Sequence, residues 1–97
     1  MACMAEISID SQPDGTFRVE VHSGNTVTQY LVSVPQGVPS TLGCDHVPVQ
    51  ELVRHSFEFL LEREPASSIL RRFSLEVIGN YFPEYPREIR ARCRQTN

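Results

Sequence analysis

Cys44, His46 and His55 are the residues of this chain whose types and spacing come nearest to chemistry. A cysteine two positions before a histidine could supply two of the ligands that Zn²⁺ takes, with His55 as a third. The same set could pair a thiolate nucleophile with an imidazole base. Both readings lack parts. A closed structural zinc site needs four ligands, and no second closely spaced Cys/His pair is present. Nothing in the sequence orients the base or supplies an oxyanion hole. The plainer reading is a loop thiol and two solvated imidazoles, so no catalytic residue, metal or cofactor is assigned, and the chain is read as a non-enzyme. Glu58, Glu62 and Glu64 gather carboxylates on a helical stretch, with Arg54 one turn before Glu58. A solvated helix face with i, i+4 pairs, each contributing about 0.2–0.5 kcal/mol, accounts for them.

Two other groups bear on binding. Arg87, Arg90, Arg92 and Arg94 make a basic tail, with Arg71 and Arg72 upstream. Such a tail can meet phosphate or an acidic partner, or simply keep the chain in solution. Tyr81, Phe82, Pro83, Tyr85 and Pro86 form an aromatic–proline cluster, and six of the eight aromatic residues lie between Phe57 and Tyr85. Tyrosine suits interfaces because its body is apolar and its tip polar. The reading places Phe82 in the core and leaves Tyr81 and Tyr85 partly exposed. The candidate partner surface is then Tyr81, Tyr85, Arg87, Arg90, Arg92 and Arg94.

These residues need elements to hold them. A chain of 97 residues is of a size for one domain, and 40% hydrophobic content is enough for a core. The net charge of -3 is divided unevenly. Glu6, Asp10, Asp14, Glu20 and Asp45 face only Arg18 in the first half, whereas the second half has a slight basic excess. No lysine occurs, a composition that fits a GC-rich bacterial genome. This balance is not that of a dedicated duplex-DNA binder. The opening MACMAEISID has neither a basic nor an apolar signal region, and no run approaches the roughly 18 apolar residues of a membrane helix. A soluble, cytoplasmic protein is expected. The odd number and wide spacing of Cys3, Cys44 and Cys93 then predict reduced thiols.

The front half reads as strands over about residues 5–34. Ile7 and Ile9 alternate with polar neighbours, Pro13-Asp14-Gly15 is a turn, and Phe17, Val19 and Val21 alternate with Arg18, Glu20 and His22. Ser23-Gly24-Asn25 makes the next turn, and the β-branched run from Thr26 to Val34 completes a meander. Residues 35–46 read as a loop. Val49, Leu52, Val53, Ser56, Phe57, Leu60 and Leu61 share one face of a helix over about 48–63. Its apolar arc is wide enough to touch both the sheet and the C-terminal segment. Pro65 ends it, and short helical turns over about 67–92 follow. The expected fold is therefore α+β: a three-stranded antiparallel meander with one face covered by an amphipathic helix, in a single domain of residues 1–97.

The block SFEFLLEREPASSILRRFSLEVIGNYFPEYPREI, from Ser56 to Ile89, resembles a family of short, uncharacterised bacterial proteins. The likeness extends to the upstream strands and the Val34-Pro35 pair. It implies a small bacterial cytosolic protein and no particular activity. Three strands ending in Val34-Pro35, then Gly43-Cys44 and a helix starting near Pro48, resemble the topology of HicB-type antitoxin domains. Here the Pro-to-Gly interval is longer, the acidic residue after the proline is absent, and the C-terminal block has no counterpart. From residues and resemblance together, the expected role is a protein-interaction domain with an unknown partner or self-association. The alternative is a nucleic-acid-binding or antitoxin-like regulator using the arginine-rich C-terminus.

Overall fold

The computed structural model describes residues 6–95. Strands β1 (Glu6–Ser11), β2 (Thr16–Ser23) and β3 (Thr26–Ser33) form the expected antiparallel meander. The first turn is fixed by Asp14, whose carboxylate accepts hydrogen bonds from the Thr16 backbone N–H at 3.1 Å and its hydroxyl at 2.7 Å. Gly24 turns the chain from β2 into β3 with φ of 60°, a left-handed conformation that glycine adopts without the steric cost a Cβ imposes.

The register places Ile7 and Ile9 opposite Val21 and Val19, and Val19 opposite Tyr30. One sheet face is therefore apolar. The other carries Asp10, Arg18, Glu20 and Gln29, joined across strands by an Arg18–Asp10 ion pair at 3.8 Å and a Gln29-to-Glu20 hydrogen bond at 3.0 Å. Such alternation is what an antiparallel sheet with one solvated face requires.

Within residues 35–46 a short helix, α1 (Val38–Thr41), forms after Gly37. The main helix, α2 (Val49–Arg63), follows Pro48 and buries Leu52, Val53, Ser56, Phe57, Phe59 and Leu60. The wide apolar arc has the two expected neighbours, since α2 packs against β1 and against the C-terminal helix. Ile78 joins Leu52, Phe57 and Leu60 in the core.

Beyond Pro65 the structure departs from a succession of helical turns. A 3-10 turn (Ala66–Ser68) leads into a fourth strand, β4 (Arg72–Ser74), which pairs parallel to β3. The sheet is thus four-stranded and mixed, in the order β1-β2-β3-β4, and the three-strand expectation is corrected. The crossover is anchored by Tyr30, whose hydroxyl donates to the Ala66 carbonyl at 2.6 Å. A second 3-10 turn (Leu75–Val77), α3 (Ile78–Tyr81) and α4 (Tyr85–Gln95) complete the described chain.

The expectation of reduced thiols is corrected as well. Cys44 and Cys93 form a disulfide between the segment after α1 and α4. They are 49 residues apart, yet their Cα atoms are 5.6 Å apart. Wide spacing in the chain is no measure of distance once α4 folds back along α2. Cys3 lies outside the described residues. No helix among those described is long and apolar enough to cross a membrane.

Candidate partner-binding groove

The C-terminal end of α2, the 66–70 segment, β4 and α3 surround an open groove of about 320 Å³. Its construction follows from local sequence. Pro65 stops α2, turning the chain so that Ile69 points into the core while Leu70 points out, half exposed. Phe73 comes from the core face of β4, and Leu60, Val77 and Ile78 supply the floor. Tyr81 stands at the end of α3 and is 65% exposed. Polar side-chain groups on the lining come from Glu64, Ser68 and the Tyr81 hydroxyl. The cavity suits apolar side chains, with a single carboxylate able to select among them.

The wall behind the groove is built of packed aromatic rings. Phe59 packs edge-on against Phe82 at 5.8 Å and against Tyr85 at 5.3 Å between centroids. The Arg63 guanidinium lies 3.8 Å from the centre of the Phe59 ring and bonds Glu84 at 3.0 Å. That bond helps hold the Glu84 carboxyl below its usual range, after the contribution of its own backbone.

Of the six residues expected to form a partner surface, only Tyr81 lines this groove. Tyr85 is corrected: it is 1% exposed and belongs to the core. Its hydroxyl lies 2.7 Å from Ser56 Oγ, and Ser56 in turn donates to the Leu52 carbonyl at 2.9 Å. The serine proton is thereby committed, so the Tyr85 hydroxyl is the donor to Ser56. Burial pushes the Tyr85 pKa up to about 12. The signal in the sequence was Ser56, a polar residue in the middle of an apolar helix face that needed a buried partner.

The arginines divide. Arg87, Arg90 and Arg94 are exposed on α4 at spacings of three and four, along one stripe. Arg92 faces α2 and bonds Glu62 at 2.7 Å. That hydrogen bond is the main cause holding the Glu62 carboxyl below its usual range. None of the four lines the groove.

The Cys/His set is dispersed. Cys44 is bonded to Cys93 and presents no thiol. His46 Nε2 lies 3.0 Å from the Cys93 carbonyl, and His55 Nδ1 lies 3.4 Å from Glu58. Among the described residues, no three His, Cys, Asp or Glu side chains converge to hold a metal ion.

No protein-family profile, curated protein or solved structure matches the chain.

Proposed function

We propose that this protein is a non-enzymatic interaction domain, and that the groove beside β4 docks an apolar segment of a partner protein. The observation that carries the reading is Tyr81 and Leu70 standing exposed at the lip of an apolar groove. Exposed aromatic and aliphatic side chains around a concavity are the usual anchors of a protein interface.

A second reading, nucleic-acid binding by an antitoxin-like regulator, draws its support from the exposed stripe of Arg87, Arg90 and Arg94. It has fewer cations at its disposal than the sequence promised, because Arg92 is engaged by Glu62. The cytoplasmic, bacterial placement remains part of the proposal. A disulfide belongs to an oxidised chain, so a copy in a reducing compartment carries the dithiol and relies on the rest of its core.

One comparison separates the readings. The wild type, a Tyr81→Ala/Leu70→Ser double variant and an Arg87→Gln/Arg90→Gln/Arg94→Gln triple variant are used as bait, with quantitative mass spectrometry of what is retained. Docking in the groove requires a nuclease-insensitive partner kept by the triple variant and lost by the double. Retention that depends on the arginines, falls steeply with salt or disappears with nuclease gives the function to the stripe instead.

A further inference from the structure

We infer that the free edge of β4, together with the groove beside it, takes up an extended peptide of a partner protein as a fifth strand, with apolar, acidic and apolar residues in succession. This rests on the docking reading above and specifies the chemistry of the occupant.

The hydrogen-bonding pattern of β4 is the starting point. The Leu31 N–H donates to the Arg71 carbonyl at 2.7 Å, and the parallel register pairs Val32 with Phe73. Backbone groups alternate sides along a strand, so those of Phe73 serve β3 and those of Arg72 point away from the sheet. Among the described residues nothing hydrogen-bonds to the Arg72 N–H or carbonyl, and the residue is exposed. An unsatisfied, accessible strand edge is a template for another strand.

The opposite edge has two of its carbonyls occupied. Arg54 donates to the Ile7 carbonyl at 2.9 Å and Gln50 to the Ile9 carbonyl at 3.0 Å, both reaching across from α2 onto the outer side of β1. The molecule therefore caps two carbonyls on the β1 edge and leaves the backbone of Arg72 open on the β4 edge, next to its apolar groove.

Side-chain alternation then fixes the occupant. Phe73 faces the groove while Arg72 faces the solvated side of the sheet. A strand laid along β4 must follow the same alternation. Its residue opposite Arg72 lies in solvent, and the two flanking residues drop over the groove. The flanking positions call for apolar side chains. The central one calls for a carboxylate, because Arg72 makes no ion pair among the described residues and opposite charges across strands attract. The same charge disfavours a second copy of this chain as the occupant. Two β4 edges paired about a twofold would bring Arg72 against Arg72, and a β1 edge is already capped by Gln50 and Arg54.

The test uses the whole chain, ¹⁵N-labelled, titrated with the blocked peptide acetyl-Thr-Ile-Glu-Ile-Thr-amide. The expected result is saturable shifts of the Arg72 and Phe73 amides and slower hydrogen exchange at Arg72. Replacing the central Glu by Lys weakens binding about two- to fivefold. Methylating the three central peptide amides abolishes it. Arg72→Pro, tolerable at an edge whose N–H faces outward, also abolishes it, whereas Arg72→Gln keeps binding and loses only the Glu-over-Lys preference. Undiminished binding of the N-methylated peptide that still requires Tyr81 would leave the groove as a docking site and overturn strand addition. No binding by any of these peptides overturns it too. So does a concentration-dependent dimer that produces the same shifts without peptide.

Discussion

Ser56 and Tyr85 show how one buried hydroxyl pair contributes to the response to alkali, beside Tyr30, whose pKa burial also raises. The folded chain holds the Tyr85 pKa at about 12, against roughly 10 in an unfolded chain. A raised folded value means that the native state keeps its proton while the unfolded state loses it. The stability from this group is intact below pH 10 and is lost as pH rises from 10 to 12, by about 2–3 kcal/mol in all. Tyr85→Phe should flatten that part of the urea-unfolding profile. Absorbance at 295 nm should show one tyrosine ionising near 12. At neutral pH, Ser56→Ala strands the Tyr85 hydroxyl in the core and should cost about 1–3 kcal/mol. Tyr85→Phe should cost less, since Ser56 keeps its bond to Leu52. Either variant matching wild type at pH 11 as well as at pH 7 would remove this account.

Among the elements, α2 is the best recorded in the sequence, because a fifteen-residue helix repeats its apolar spacing often enough to be read. Leu60→Ala, in the middle of that face, should lower stability by about 2–5 kcal/mol, measurable by thermal or urea unfolding. An unchanged melt would mean that another face is buried. The meander was legible for the same reason: its strands run long enough to show alternation, and Asp14-Gly15 and Gly24 mark the turns. β4 was not legible. Arg-Phe-Ser contains one apolar residue and no period, and the strand exists only because β3 offers a partner after a long crossover. The groove inherits that difficulty, since Phe73 reaches its lining only through β4. Tyr81 could be picked out by type, but its separation from Tyr85 could not. Four residues later along the chain, after Pro83, the second tyrosine turns inward onto α2.

At the scale of the molecule, the Cys44–Cys93 bond ties the segment after α1 to the last helix. Closing a loop of 49 residues removes unfolded-state entropy equivalent to about 4 kcal/mol. Reduction, or Cys93→Ala, should therefore lower stability by roughly 2–5 kcal/mol, read as a shift of the urea midpoint with and without reductant. Coincident curves would show that the link adds nothing. The sequence concealed this pairing because the spacing argument treated each cysteine as isolated. The fold makes the proximity plain: the Arg90 side chain lies 3.0 Å from where a Cβ on Gly43 would stand, so α4 presses closely on this segment.

Cys44 and Cys93 are both fully buried, and this sets a timetable. A reducing thiolate must reach a sulfur atom in line with the bond, and both sulfurs are shielded while α4 and the segment after α1 are seated. The bond can be cut only during excursions in which α4 or the segment carrying Cys44 lifts away, so its lifetime in reductant measures how often the two separate. Raising the thiol concentration should speed reduction in proportion while reclosing is fast. The rate should then level off at a ceiling equal to the opening rate itself. The crosslink is thus a clock for the parting of α4 from the segment after α1.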